Sequence, residues 1–307
     1  MWLALAFLSA FLLGFYDVSK KISLASNAVI PVLLLNTLVC TLIFSPLVIG
    51  SAMGAIAEDS ILYVPSGGWD VHKYIVLKAF IVLSSWILGY FGMKHLPITL
   101  VGPIQATRPV MVLAGAVFVF GEHLNAWQWA GVCLAILSFY LMSRSGKKEG
   151  IDFTHNKWIL CVVLAAVTGA VSGLYDKYLV APVSQGGAGL DKMIVQSWYN
   201  FYQFLFMTVV FLVVWLPRKS RETPFRWHWA IPLISLFLSL ADFVYFYALS
   251  NPDSMISIVS MVRRGSVLVS FGLGAMVFRE HNLKAKAFDL FLVLLSMVFL
   301  WIGTMKY

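Results

Sequence analysis

Ten apolar runs, near residues 2–22, 28–50, 73–94, 98–120, 125–143, 157–179, 191–216, 227–249, 254–278 and 284–304, decide what this chain can become. Each is long enough to cross a hydrocarbon layer of about 30 Å, which takes ~20 helical residues. In lipid a backbone must satisfy its own N–H and C=O groups, so runs of this length read as helices. Strands of a membrane barrel would alternate in segments of about 10 residues, and these runs do not. Composition agrees, since 60% of the residues are apolar and 12% charged, against about half and a quarter in soluble domains. The expected fold is an all-α membrane protein with ten transmembrane helices.

The net charge of +8 would suit nucleic acid, but the basic residues cluster in short loops between apolar runs, so no nucleic-acid partner is expected. Cys40, Cys133 and Cys161 fall inside apolar runs and read as small buried hydrophobes. Residues 1–26 lack the basic start and small-residue cleavage site of a signal peptide, and further spans follow. The longest connections are 51–72 and 144–156, which leaves no room for a soluble domain.

The chain repeats itself. Ala6, Ala10, Gly14 and Asp17 recur as Ala165, Gly169, Gly173 and Asp176, each 159 positions later. "FGEHL" at 120–124 recurs as "FREHN" at 278–282, offset 158. A duplicated set of five segments must enter the membrane from opposite faces. The reading is therefore two inverted five-helix repeats, 1–143 and 157–307, joined by a linker at 144–156. Inverted repeats with a site between them are a recurring plan of secondary transporters.

Fourteen Lys and Arg residues fall on one side of these spans, Lys20, Lys21, Lys94, Lys284 and Lys286 among them. Five fall on the other: Lys73, Lys78, Lys177, Lys192 and Lys306. The richer side is expected in the cytoplasm, with both termini outside.

The stretches "PITLVGPIQATRPVMVLAGAVFVFGEHLNAWQWAGVCLAILSFYLM" and "SMISIVSMVRRGSVLVSFGLGAMVFREHNLKAKAFDLFLVLLSMVFLWIG" look like the helix-four, Glu-containing turn and helix-five block of EamA-type transporters. Over nearly its whole length the chain resembles these ten-helix members of the drug/metabolite transporter superfamily. The resemblance implies export or exchange of small metabolites through a central cavity. Typical members have a basic N-terminus and cytoplasmic termini; here the N-terminus is bare and "AEDSILYVPSGGWD" is acidic, so charge and family habit point to opposite orientations.

Six ionised groups lie within the spans: Asp17, Asp176, Asp242, Arg108, Arg263 and Arg264. Each costs about 2.5–3.5 kcal/mol at a helix centre, so unpaired they would approach ~20 kcal/mol. They must pair or line water. Gly14 and Asp17 share a face continued by Ala10 and Ala6, where another helix can approach closely. Asp17 and Asp176 then read as mirror-related gate groups, or Asp17 as an interfacial acid beside Lys20 and Lys21. Asp242 is the candidate for a coupling proton, having no Lys or Arg one turn away on its own helix. The three arginines sit about 14–17 Å along their helices, near the midplane, as an anion site or as counter-ions of the aspartates. Gln196, Asn200 and Gln203 form one polar face flanked by Trp198, Tyr199 and Tyr202. Ser235, Ser239, Asp242 and Tyr245 form a second, and Ser257, Ser260 and Arg264 a third. Such stripes are interhelical glue or a cavity wall. Glu122–His123 and Glu280–His281 would lie on opposite faces, so they read as turn and capping groups with no metal. Pro109 is expected to kink helix four beside Arg108.

A secondary transporter explains these features, with Arg108, Arg263, Arg264, Gln196, Trp198, Tyr199, Asn200 and Gln203 as substrate ligands. Its substrate would be a small metabolite bearing an anionic group, and its solvent the cell (inner) membrane bilayer, as a monomer or homodimer. The alternative is an exporter of amphipathic cations held by the aspartates. A membrane-embedded enzyme fits less well, because no nucleophile–base set or large extramembrane loop is present; no cofactor and no nucleotide-binding loop are expected. The charge bias predicts that a fluorescent protein fused to the C-terminus stays dark, because it does not fold outside the cytoplasm. Strong fluorescence from that fusion would reverse the orientation.

Overall fold

The computed structural model describes residues 2–108, 110–111, 125–147, 151, 153, 155–180, 183–185, 187–219, 223–249, 262–278 and 283–305. Its elements among these residues are helical. They are α1 (Trp2–Leu24), α2 (Val29–Ala52), α3 (Trp69–His95), α4 (Ile98–Ala106), α5 (Ala126–Lys147), α6 (Lys157–Val180), α7 (Lys192–Val210), α8 (Ala230–Leu249), α9 (Ser266–Phe278) and α10 (Leu283–Met305). Helix α7 runs on through a π-turn, Phe211–Trp215, and a 3-10 turn, Leu216–Arg218. Seven helical stretches are long and apolar enough to cross a membrane: those of α1, α2, α3, α6, α8 and α10, and α7 with its extension to Arg218. The other three expected spans, 98–120, 125–143 and 254–278, are seen as α4, α5 and α9; 98–120 and 254–278 extend beyond the described residues.

Polar residues at the starts of several helices satisfy backbone donors that the helix itself cannot. Asp191 accepts from the N–H groups of Met193 (2.6 Å) and Ile194 (3.4 Å). Asn156 accepts from Trp158 N–H at 2.9 Å. At α5, Asn125 Oδ1 accepts from Gln128 N–H (2.9 Å) while Gln128 Oε1 accepts from Asn125 N–H (3.0 Å), a reciprocal capping box. At the end of α3, Lys21 Nζ donates to the carbonyls of Met93 (2.7 Å) and Leu96 (2.6 Å), a cation placed on the negative helix terminus.

Helices early in the chain pack on helices late in it. The most extensive contacts join α1 to α8, α5 to α10, α3 to α6 and α2 to α7; α4 rests on α9. The main apolar core draws Tyr16, Leu24, Leu33, Leu83, Tyr90, Ile98, Ile104, Val162, Met207 and Leu238 from seven helices. Phe7, Phe11, Phe80, Ile136 and Leu160 face outward, as a lipid-facing surface requires. Trp69, Trp227 and Trp229, at helix ends, are also exposed, where aromatic belts meet the interface.

Both α4 and α9 are flanked by a break. Thr107 leaves the helix: its N–H donates to Ile104 O (3.3 Å) and its hydroxyl to the same carbonyl (2.6 Å), while Val110 N–H donates to Thr107 O (3.0 Å). In the other half Gly265 N–H donates to Val262 O and Leu268 N–H to Gly265 O, both at 2.9 Å. Arg108 follows the first break, and Arg263 and Arg264 precede the second. The sequence reading treats 254–278 as one uninterrupted run; the turn at Gly265 corrects it. Pro109 lies outside the described residues, and the interruption falls at Thr107.

The small-residue stripes do different jobs. A Cβ on Gly14 would collide with Val269 of α9, so α1 needs glycine there. On α6, Ala165 is buried and takes the Ser85 hydroxyl on its carbonyl at 2.8 Å, while Gly173 has nothing within 4 Å of its missing Cβ. On α5, a Cβ at Gly131 would sit 2.7 Å from Leu300 Cδ2 and 3.0 Å from the Ser296 carbonyl. Gly131→Val is therefore expected to lower the melting temperature of purified protein, with an overpacking cost of about 1–3 kcal/mol. Gly173→Ala should leave it unchanged or raise it slightly, since alanine is the better helix former by about 1 kcal/mol.

Candidate functional site

Asp17, Asp176 and Asp242 each meet a cation. Asp17 takes Lys20 Nζ at 2.7 Å, one turn along α1. Asp176 of α6 takes Lys78 of α3. Asp242 of α8 takes Arg263 Nη2 on Oδ1 and the Tyr199 hydroxyl of α7, at 3.0 Å, on Oδ2. An aspartate that lacks a cation on its own helix thus finds one from the segment leading into α9.

Among the described residues the other two arginines, Arg108 and Arg264, meet no carboxylate. Arg108 donates to Gln105 Oε1, its Nε has no partner, and its guanidinium lies against Gly169 of α6. A Cβ at Gly169 would push the guanidinium aside. Arg264 has no hydrogen bond or ion pair among the described residues. Arg108 and Arg264 nonetheless feel each other as like charges, with Asp17 and Arg263 in the same electrostatic neighbourhood. Around these pairs, the described cations Lys20, Lys78, Arg108, Arg263 and Arg264 outnumber Asp17, Asp176 and Asp242 by two.

Aromatic rings link the ion pairs. Lys78 Nζ lies 4.8 Å from the centre of the Tyr199 ring, and Arg263 Cζ lies 4.1 Å from that of Tyr245, both within cation–π reach. Lys20 Nζ sits 4.3 Å from the Tyr16 ring and 5.4 Å from that of Tyr90. Asn36 of α2 donates to the Tyr90 hydroxyl (3.2 Å) and accepts from Ser235 of α8 (2.9 Å). Ser239 meets Cys40 at 3.7 Å, one turn before Asp242. A polar chain thus runs from Lys20 across α3 and α2 to α8.

On α7, Gln196, Tyr199, Asn200 and Gln203 are all buried. Asn200 donates to the Gln196 backbone carbonyl at 2.8 Å. The side-chain amides of Gln196 and Gln203 have no partner on either N or O. Trp198 and Tyr202 turn to a different face: the Trp198 ring packs edge-on against His72, 4.7 Å between centres, and the Tyr202 hydroxyl meets His72 Nδ1 at 3.0 Å. Trp198 is therefore set apart from the Tyr199–Asp242 centre.

Lys78 stands inside the apolar stretch "YIVLKAFIVL" and is 3% exposed, so it does not belong among the outer-loop charges. Lys20 and Lys286, counted on the opposite side, are also buried. Asp289 of α10, embedded in "AFDLFLVL", was not among the six intramembrane charges. It is buried, its Oδ2 has no partner, and its backbone carbonyl accepts from Ser138 of α5 at 2.8 Å. Ser257, Ser260, Glu122–His123 and Glu280–His281 lie outside the described residues.

In the Lys78–Asp176 pair the lysine is buried and the aspartate about a quarter exposed, and leaving a buried lysine without its partner costs up to about 3–5 kcal/mol. Asp176→Asn is expected to destabilise the protein strongly in a thermal-melt assay. The double variant Lys78→Met/Asp176→Asn should recover most of that loss, because it buries no lone charge.

Residues 1–144 match the EamA-like transporter family. Over 220 residues the chain is 24% identical to Protein RarD of Streptomyces exfoliatus, a stretch that is 71% of this chain and 58% of that protein. Over 69 residues it is 28% identical to the probable 4-amino-4-deoxy-L-arabinose-phosphoundecaprenol flippase subunit ArnE of Pectobacterium atrosepticum, 22% of this chain and 61% of that one. The chain thus spans less than two thirds of the length of either relative. A protein crystal structure superposes with a TM-score of 0.60 over 98% of both chains at 13% identity, which shows a shared fold.

Proposed function

We propose that this chain, whose first half carries an EamA-like transporter domain, is a secondary active transporter that exports or exchanges a small anionic metabolite by alternating access. The observation that carries this reading is the pair of half-buried arginines, Arg108 and Arg264, left without a carboxylate among the described residues while all three intramembrane aspartates near them are occupied. A cationic substrate would have to displace a lysine or arginine from an aspartate. An anion only has to join arginines that repel one another. Arginine suits the task because its fork binds carboxylate or phosphate at two points and keeps its charge when buried.

Ten spanning helices in two inverted repeats remain the architecture that best explains the packing. The breaks at Thr107 and Gly265 are 158 positions apart, and so are their bonding partners Ile104 and Val262, and Val110 and Leu268. The contacts exchange in the same way: α1 on α8 answers α6 on α3, and α3 on α7 answers α8 on α2. The Thr41 hydroxyl of α2 donates to the Asn200 carbonyl of α7 at 3.1 Å. Those residues are 159 apart, as expected beside a two-fold axis. Discontinuous helices near the midplane are where such carriers bind substrate. Asp17, Asp176 and Asp242 would act as gating or proton-coupling groups, and Gln196, Asn200 and Gln203 as neutral ligands on the same path.

Charge still favours a cytoplasmic face on the richer side. Removing the buried Lys20 and Lys286 from fourteen and Lys78 from five leaves twelve against four. The name of ArnE includes a phosphate-linked lipid; a lipid-borne anion is accordingly within the proposed substrate class.

Flux in proteoliposomes tests the reading. A charge-assisted contact contributes about 1.5–3 kcal/mol, so Arg108→Gln and Arg264→Gln should each slow uptake of the transported anion roughly ten- to hundredfold, with folding intact by size-exclusion chromatography. Unchanged anion flux together with lost transport of amphipathic cations would move the site to the aspartates.

A further inference from the structure

We infer that Asp242 is a tethered stand-in for the substrate: in the empty carrier its carboxylate occupies Arg263, and the incoming anion must displace it. This rests on the anionic reading of the site. Of the three arginines near the breaks, only Arg263 is held by a carboxylate, and that carboxylate comes from a different helix. Its neighbour Arg264 is unpaired among the described residues, and Arg108 reaches only an amide oxygen. Arg263 adjoins Arg264 in sequence and Arg108 feels the charge of both, so an anion drawn to these arginines meets Asp242 already on one of them.

The groups around Asp242 fit a carboxylate that can let go. Tyr199 donates to Oδ2 from α7 at 3.0 Å, so the oxygen opposite the arginine keeps a hydrogen bond after the arginine is taken. Cys40 of α2 and Ser239 of α8 lie one turn away and contribute no cation. Tyr245, also on α8, stacks under the Arg263 guanidinium at 4.1 Å, so the arginine keeps its position when its counter-ion changes. Lys78 lies over the Tyr199 ring, committed to Asp176. A released Asp242 is therefore held by Tyr199 and not recaptured by another cation among these neighbours. Arg263 precedes the Gly265 break, whereas Asp242 sits within the continuous helix α8. Exchanging one anion for another on Arg263 would unlatch the broken helix from its neighbour, which ties occupancy to movement.

A competitor present for about nine-tenths of the time weakens apparent affinity roughly tenfold. Binding of inorganic phosphate and of succinate to the purified full chain in detergent, measured by calorimetry and by ligand-induced thermal stabilisation, tests this. Asp242→Asn should bind at least one of these anions about tenfold more tightly than the unmodified protein, and be stabilised by it at lower concentration. Asp242→Glu, which keeps the charge, should give no such gain. Asp242→Ser, which also removes the charge, should gain likewise and serves as the test if Asp242→Asn does not fold. If the unmodified protein binds and Arg264→Gln weakens it, but neither the Asp242→Asn nor the Asp242→Ser variant gains, the stand-in role is overturned while the anion site stands. If no variant binds either anion, the anionic reading fails and this inference with it.

Discussion

The cost of an unpaired charge in a hydrocarbon layer determines which helices meet. Lys78 of α3 can be buried only because Asp176 of α6 reaches it. Arg263 can be buried only beside Asp242 of α8. These pairs add little net stability, since desolvation takes back most of the Coulomb attraction, but they reject alternatives. A bundle with α3 against another helix would leave two lone charges inside. Asp17 and Lys20 are one turn apart on α1, so that pair neutralises itself locally and leaves α1 to be placed by shape. Shape suffices there, because Gly14 admits α9 and the Ser9 hydroxyl reaches the Ala241 carbonyl of α8 at 2.7 Å.

Much of this was legible in the residues. Apolar run length marked the seven helices long enough to cross a membrane to within a few positions, because a lipid-facing helix must stay apolar from end to end. The polar stripe on α7 and the serines on α8 appear on buried faces, as period-3.6 spacing requires. What spacing could not supply was the partner. Nothing local to Asp242 announces Arg263, and nothing local to Lys78 announces Asp176; both depend on which helices become neighbours. The turn at Gly265 was also hidden, since a lone glycine within an apolar run is compatible with an unbroken helix. Lys78 and Asp289 are a different case. Each stands plainly within an apolar run, and the loop-counting habit of topology assignment absorbed or passed over them.

The packing is close to two-fold, but the chemistry placed on it is not. Carried back by 159 positions, Gln196, Asn200 and Gln203 of α7 correspond to Thr37, Thr41 and Phe44 of α2. Thr37 and Thr41 spend their hydroxyls on carbonyls of their own helix, and Thr41 also reaches Asn200, whereas the amides of Gln196 and Gln203 are buried without partners. A buried amide left unpaired costs about 1–3 kcal/mol, so two of them opposite a side already satisfied form a one-sided hydrogen-bonding surface. The arginines divide unevenly too, one beside the first break and two beside the second. On the proposed reading, a two-fold backbone would let a carrier open to either face with similar packing. An uneven set of ligands would then hold the same substrate unequally in the two open states, and that difference, rather than the scaffold, would give transport a preferred direction when a gradient is coupled to it.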